Sequence, residues 1–304
     1  GNENITATDA SITVAQAIVL LGNTSGSLTG TITAAGATTT QLASLAAFDS
    51  QIAGTITNLT LTIDAATAAS VRSGAQFNGL TDTQSQALFN HVAGGVTITG
   101  NAGADWIDLR GFNTTGVDFT INAAAGDNRI YSGDGNDTIN TTTGADFINV
   151  GGGRDTVNAG AGIDEIEVDS LNNVDGSVYD GEGGNDRLTM KGIHDLTNTN
   201  QTSIETLRLQ PGSPSEVTLT GSQAEAYGTI TGTTGNSKLI IAGELAKVTY
   251  AGAAAKLEGG GTDTLTFTYQ GVAATATGNW SNLSDLQDSV DTAAGGAGRV
   301  VASL

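Results

Sequence analysis

Hydrophobic and polar positions alternate along this chain in short bursts. Thr29 to Thr33 and Leu59 to Asp64 place apolar or β-branched residues at every second position, which predicts strands. Thr40 to Phe48, Ala65 to Gly74 and Thr81 to Val92 read instead at helical spacing, and Thr81-Asp82-Thr83-Gln84 fits a capping signal. Strands are expected again at Glu205 to Leu209, Glu216 to Thr220, Leu239 to Ile241 and Thr264 to Tyr269. Ser284 to Asp291 reads as a terminal helix with Ser284 as its N-cap. Between these flanks the pattern tightens to one aliphatic residue in nine: Ile130, Ile139, Ile148, Val157 and Ile166.

The ninefold pattern has two further fixed positions. Gly126, Gly135, Gly144, Gly153 and Gly162 stand four residues before each aliphatic, and Asn128, Asp137, Asp146, Asp155 and Asp164 stand two before it. Gly permits a tight turn, the acid closes it, and x-Ile-x is a minimal strand with one side chain pointing inward. Two copies make an 18-residue coil, strand–turn–strand–turn. Stacked coils bury a column of Ile and Val and line up the turns as two ladders. Asn128, Asp146 and Asp164 fall on one ladder, Asp137 and Asp155 on the other. Carboxylates one coil apart repel when partly desolvated. A hard cation between coils removes that repulsion, and flexible all-oxygen cages suit Ca²⁺ better than Mg²⁺. The blander alternative is a solvated acidic turn face that binds nothing, with Asp127, Asp134 and Glu165 as plain surface charges.

Composition agrees with a repeat architecture. The 304 residues include 43 Gly but only 2 Pro, and aromatics make up 5%. That supply is thin for one large globular core. A net charge of −20 repels phosphate backbones and anionic bilayers and attracts cations, so nucleic acid and membrane insertion are excluded as partners. Of the 31 acidic residues, 16 lie between Asp105 and Asp186, beside Arg110, Arg129 and Arg154 alone. Three zones result: a strand-and-helix region over 1–95, an acidic repeat region over 96–190, and a Thr-rich β region with a terminal helix over 191–304. The first zone suits a small α/β unit or irregular solenoid coils equally. The absence of Cys excludes disulfides and thiol chemistry. The longest apolar stretch, Ala17 to Leu21, is far too short for a bilayer. No leader pattern is visible, so an export segment has been removed, the chain is a fragment, or its signal lies elsewhere.

The copies Ser132-Gly-Asp-Gly-Asn-Asp137-Thr-Ile139, Val150-Gly-Gly-Gly-Arg-Asp155-Thr-Val157 and Ala159-Gly-Ala-Gly-Ile-Asp164-Glu-Ile166 resemble the RTX family of Gly- and Asp-rich nonapeptide repeats. Outlying copies are Gly100-Asn-Ala-Gly-Ala-Asp105-Trp-Ile107 and Gly181-Glu-Gly-Gly-Asn-Asp186-Arg-Leu188, whose acids stand 23 and 22 residues from the block. Ala123 to Ala125 and Thr141 to Thr143 depart from the family's Gly pair, and Asn128 replaces its acid. The resemblance implies a mainly β protein with a central right-handed parallel β-roll, flanked by Thr-rich β segments and a few short helices. It also implies several Ca²⁺ ions held between turns one coil apart. The expected ligand pairs are Asp137/Asp155 and Asp146/Asp164 first, then a weaker Asn128/Asp146, with Asp105 and Asp186 as candidates at the ends.

Asp186-Arg-Leu-Thr-Met-Lys-Gly and Ser203-Ile-Glu-Thr-Leu-Arg-Leu209 look similar to large bacterial surface proteins, including S-layer proteins and adhesins. The implied role is structural and extracellular, at the bacterial cell surface, with the chain itself as partner in a sheet or filament. An adhesin module binding cell-surface polysaccharide is the alternative, and the accessory region of a secreted RTX enzyme is a third. No metal-protease, nucleophile-elbow, P-loop or dinucleotide motif is present, so the chain reads as a non-enzyme. His91, at the end of an expected helix, and His194, in a loop-like stretch, read as ordinary surface or packing residues. Trp106 and Trp280 read as core or end-cap residues before sugar platforms.

Overall fold

A computed structural model describes residues 1–63, 70–71, 79–112, 114–169, 174–210, 215–231, 237–244, 263–269 and 272–278. The chain forms two compact units, residues 1–144 and 145–304. Among the described residues of both, strands outnumber helices and pair almost entirely in parallel. Three-residue strands cannot stand alone, so each coil draws its stability from the coils it stacks on.

In the first unit, Leu59–Thr62 pairs with Val96–Thr99, that strand with Phe119–Asn122, and that one with Thr138–Asn140, all parallel. A second sheet pairs Ser70–Val71, Trp106–Asp108 and Arg129–Tyr131 in the same way. Strand Ser70–Val71 thus falls inside the stretch 65–74 expected to be helical; the other residues of that stretch lie outside the described residues, as does the terminal helix at 284–291 with Trp280. Register sets the core. Leu61, Ile98, Ile121 and Ile139 stand in one column and Ile107 and Ile130 in another, and all are buried.

The first zone is resolved in favour of solenoid coils. Strands Ile12–Thr13, Thr31–Thr33 and Thr55–Thr57 are again parallel, and helices follow the first two directly or after a short turn. Helices Val14–Gly22, Thr39–Ala46 and Asp82–Phe89 stack in sequence order, so a helix forms one side of these longer coils. Each starts with a Thr-x-x-Gln capping box: Thr13/Gln16, Thr38/Gln41 and Thr81/Gln84. The Thr hydroxyl accepts from the Gln backbone N–H, and the Gln side chain accepts from the Thr backbone N–H, so two orphan donors are satisfied at once. Phe89 packs edge-on against Phe112 and Phe119, with ring centroids 5.5 Å apart in each pair.

In the second unit, Phe147–Asn149 pairs with Glu165–Val168, then Arg187–Met190, Thr206–Leu209 and Thr229–Thr231, all parallel. Ile148, Ile166, Leu188, Leu207 and Ile230 form its core column, each with no exposed surface. Thr156–Asn158, Val178–Asp180 and Asn200–Thr202 form the facing sheet. From Ile193–Asp195 a third parallel sheet begins, continuing through Ser215–Thr220 and Ser237–Glu244 to Asp263–Tyr269. The coils therefore change from two-sided to three-sided. Val272–Gly278 then pairs antiparallel with Asp263–Tyr269. His194 lies in this third sheet, not in a loop, and is 3% exposed.

Candidate metal centre

The residues predicted as metal ligands do not sit on a solvated face. Asp105, Asn128, Asp137, Asp146, Asp155, Asp164 and Asp186 are all at most 2% exposed, whereas Asp127 and Asp134 are exposed as expected of surface charges. The register that sends each aliphatic inward turns the acid two positions earlier into the seam between coils.

There the side chains act as main-chain acceptors. Phe119 donates its N–H to Asp137 Oδ1 at 2.8 Å, one coil away. Asp146 donates to Asp164 Oδ1 at 2.7 Å, and Asp164 in turn to Asp186 Oδ1 at 2.8 Å. In the first unit Asp105 donates to Asn128 Oδ1 at 2.9 Å, which explains how an amide substitutes for the acid: it offers the same acceptor oxygen. Asp105 and Asp186, distant in sequence from the block, thus each stand one coil from a block residue. The pairs Asp137/Asp155 and Asn128/Asp146 divide between the two units, so each of those residues is placed only within its own.

Sequence reasoning missed several members of these columns. Ser177 Oγ accepts from Asp155 N–H at 3.0 Å, and Glu205 Oε2 from Asp186 N–H at 2.7 Å. Asp118 Oδ1 accepts from Asn136 N–H at 2.7 Å. A signal was present for Ser177. The step Asp155–Ser177 is 22 residues, the same as Asp164–Asp186, so one insertion lengthens both by the same amount.

Electrostatics makes the column costly without a cation. The Asp164 carboxyl is pushed up to about 7, by burial first and then by the charges of Asp146 and Asp186, against the pull of the Asp146 N–H. Burial also raises Asp105 and Asp186, the latter with a further push from Glu205. The Oδ2 atoms of Asp164 and Asp186 are buried and have no hydrogen-bond partner. A buried acceptor left unmatched costs about 1–3 kcal/mol, and more when charged.

The turns bring main-chain oxygens to the same seam. Gly144, at φ 138°, could not carry a side chain, because a Cβ there would overlap the Gly126 carbonyl oxygen of the preceding coil. A Cβ at Gly184 would likewise overlap the Gly162 carbonyl oxygen and lie 3.0 Å from Asp186 Oδ1. Among the described residues no three His, Asp or Glu side chains converge on one point. The donor set is therefore one or two carboxylates with turn carbonyls, a hard, all-oxygen set that fits Ca²⁺ and offers nothing to soft metals.

Residues 93–115, 120–141 and 131–166 match the family described as the RTX calcium-binding nonapeptide repeat. The chain thus carries an RTX repeat region on a parallel β-roll, and such repeats bind several calcium ions. The comparisons found no match among curated proteins and none among solved structures.

Proposed function

We propose that this protein is an extracellular, calcium-stabilised structural subunit that assembles with copies of itself into a bacterial surface layer, filament or matrix. The observation that carries the reading is the buried column Asp146–Asp164–Asp186, whose charges oppose stacking until a cation occupies the seam. Asp146 with Asp164 supplies one ligand pair; Asp105, Asn128 and Asp137 in the first unit and Asp155 in the second extend the set, each within its own unit. Calcium binding is then part of folding free energy. RTX repeat proteins are typically secreted, and extracellular calcium would switch the coils from repulsive to stacked. Among the described residues no helix is long and apolar enough to cross a membrane.

The role is structural and not enzymatic. Parallel sheets expose N–H and C=O groups on their outermost strands, and such edges pair with further strands unless covered. Among the described residues the second unit's two facing sheets end on Asn200–Thr202 and Thr229–Thr231, and its third on Val272–Gly278. Electron microscopy with millimolar Ca²⁺ and with chelator tests the reading. Ordered sheets or filaments that dissolve on chelation are expected. Discrete particles in both conditions would overturn self-assembly and favour a monomeric adhesin that holds cell-surface polysaccharide.

A further inference from the structure

We infer that the carboxylate column of the second unit ends in a divalent-cation site completed from beyond the nonapeptide copies, with Asp186 of the outlying copy joined by Glu205 and the main-chain carbonyl of Ser203. It rests on the calcium reading above but adds Ser203 and Glu205, which the repeat pattern does not reach. The family match stops at residue 166. Ser203-Ile204-Glu205 contains neither the Gly nor the Asp of the repeat, and the step from Asp186 to Glu205 is 19 residues, not 18.

Three observations point to a ligand there. Asp186 is 1% exposed; its Oδ1 is engaged by the Asp164 N–H, while its Oδ2 is buried with no hydrogen-bond partner. Glu205 is held at the same turn by the Asp186 N–H, which places a second carboxylate beside the first. The space between the turns at this rung is walled by oxygen. A Cβ on Gly181 would overlap the Ser203 carbonyl oxygen and stand 2.6 Å from Asp186 Oδ2, so both atoms open into one gap that only a Gly leaves clear.

Charge balance supports the same conclusion. Among the described residues no Lys, Arg or His forms an ion pair with Asp186 or Glu205; Arg187 and Arg208 both turn to Glu165, at 3.6 and 3.9 Å. Two carboxylates and a carbonyl without a cationic side chain form a hard-oxygen set, and water completes the shell of a Ca²⁺-sized ion. The longer Glu suits the end of the column. It spans from a turn of different length to the Asp186 N–H and leaves its second oxygen for the ion.

Calcium stoichiometry of the full chain, measured by native mass spectrometry and calorimetric titration, tests the site. Glu205→Gln keeps an acceptor for the Asp186 N–H and removes the charge. One ion should be lost, or one site weakened at least tenfold, with the remaining ions unchanged. Unchanged stoichiometry and affinities in both Glu205→Gln and Asp186→Asn would overturn the end site alone, whereas a wild-type chain that binds no calcium would overturn the broader reading. If Glu205→Gln fails to fold, hydrogen exchange on the wild-type segment 200–206 answers the same question. Calcium should slow it, and exchange insensitive to calcium would refute the site.

Discussion

The coils around the N-terminal helices and the nonapeptide coils solve the same stacking problem with opposite means. From Leu59 to its partner Val96 the chain takes 37 residues, enough to include the helix Asp82–Phe89 and to bury Leu88 and Phe89. From Phe147 to Glu165 it takes 18, and each half-coil fully buries only a pair of aliphatics, Ile148 with Val150 and then Val157 with Ala159. The long coil brings its own core and closes its helix ends with neutral Thr-x-x-Gln boxes. The short coil is mostly turn, so acidic side chains must satisfy the main chain, and their charge must be neutralised. Apolar burial is independent of solution conditions, whereas a carboxylate column is stable only at a suitable calcium concentration and pH.

The comparison can be broken most severely through the core. Ile166→Ala and Leu88→Ala should each cost about 2–5 kcal/mol in denaturant titrations with saturating calcium. Only Ile166→Ala should also raise the calcium concentration needed for folding, because its coil forms together with its metal. An equal shift from both would show that the regions do not differ in this way.

Next in size is a sign change at Asp164. Asp164→Ala leaves the buried Asp146 N–H without its acceptor and should be less stable than Asp164→Asn by about 1–3 kcal/mol in either condition. Asp164→Asn keeps an acceptor and removes the charge. It should lower the melting temperature in calcium but raise it in chelator at pH 8. A loss in both conditions would contradict the repulsive column.

Protons should replace part of the metal's effect. With its folded-state carboxyl at about 7 against an ordinary 3.8, Asp164 favours the metal-free fold below about pH 4, and that contribution is lost as pH rises through 7. Calcium binds the ionised form, so with calcium present the trend at this site reverses. His194 acts in the opposite direction to Asp164: burial lowers it, so its neutral form is favoured and its contribution falls as pH drops below the usual imidazole range. Thermal melts from pH 4 to 8 with chelator should follow the Asp164 trend in wild type and lose its share in Asp164→Asn.

The smallest effect belongs to the caps. Thr81→Ala should cost about 1 kcal/mol, equally with and without calcium, in the same melts.

Much of this contrast was legible in the sequence. The ninefold spacing fixes the inward Ile and the turn acid together, because a period-two strand of three residues allows only one register. Thr81–Gln84 marked a helix start, and the same box at Thr13, Thr38 and Thr220 marks the other three described α-helices, the last of them Gly221–Ala226. What the sequence concealed depends on coils of unequal length. Once a coil takes 19, 22 or 23 residues, alignment depends on strand pairing, and Ser177 and Glu205 carry no motif of their own. His194 was misplaced for a related reason: a third sheet begins where the repeat stops, and nothing in a two-sided pattern announces it.

The most direct test is hydrogen exchange followed peptide by peptide at pH 7.5, with millimolar calcium and with chelator. Amides across 145–190, including those of Asp146 and Asp164, should lose protection on chelation, while those of helices Val14–Gly22 and Thr39–Ala46 keep theirs. Equal protection of both regions in the two conditions would contradict calcium-dependent stacking.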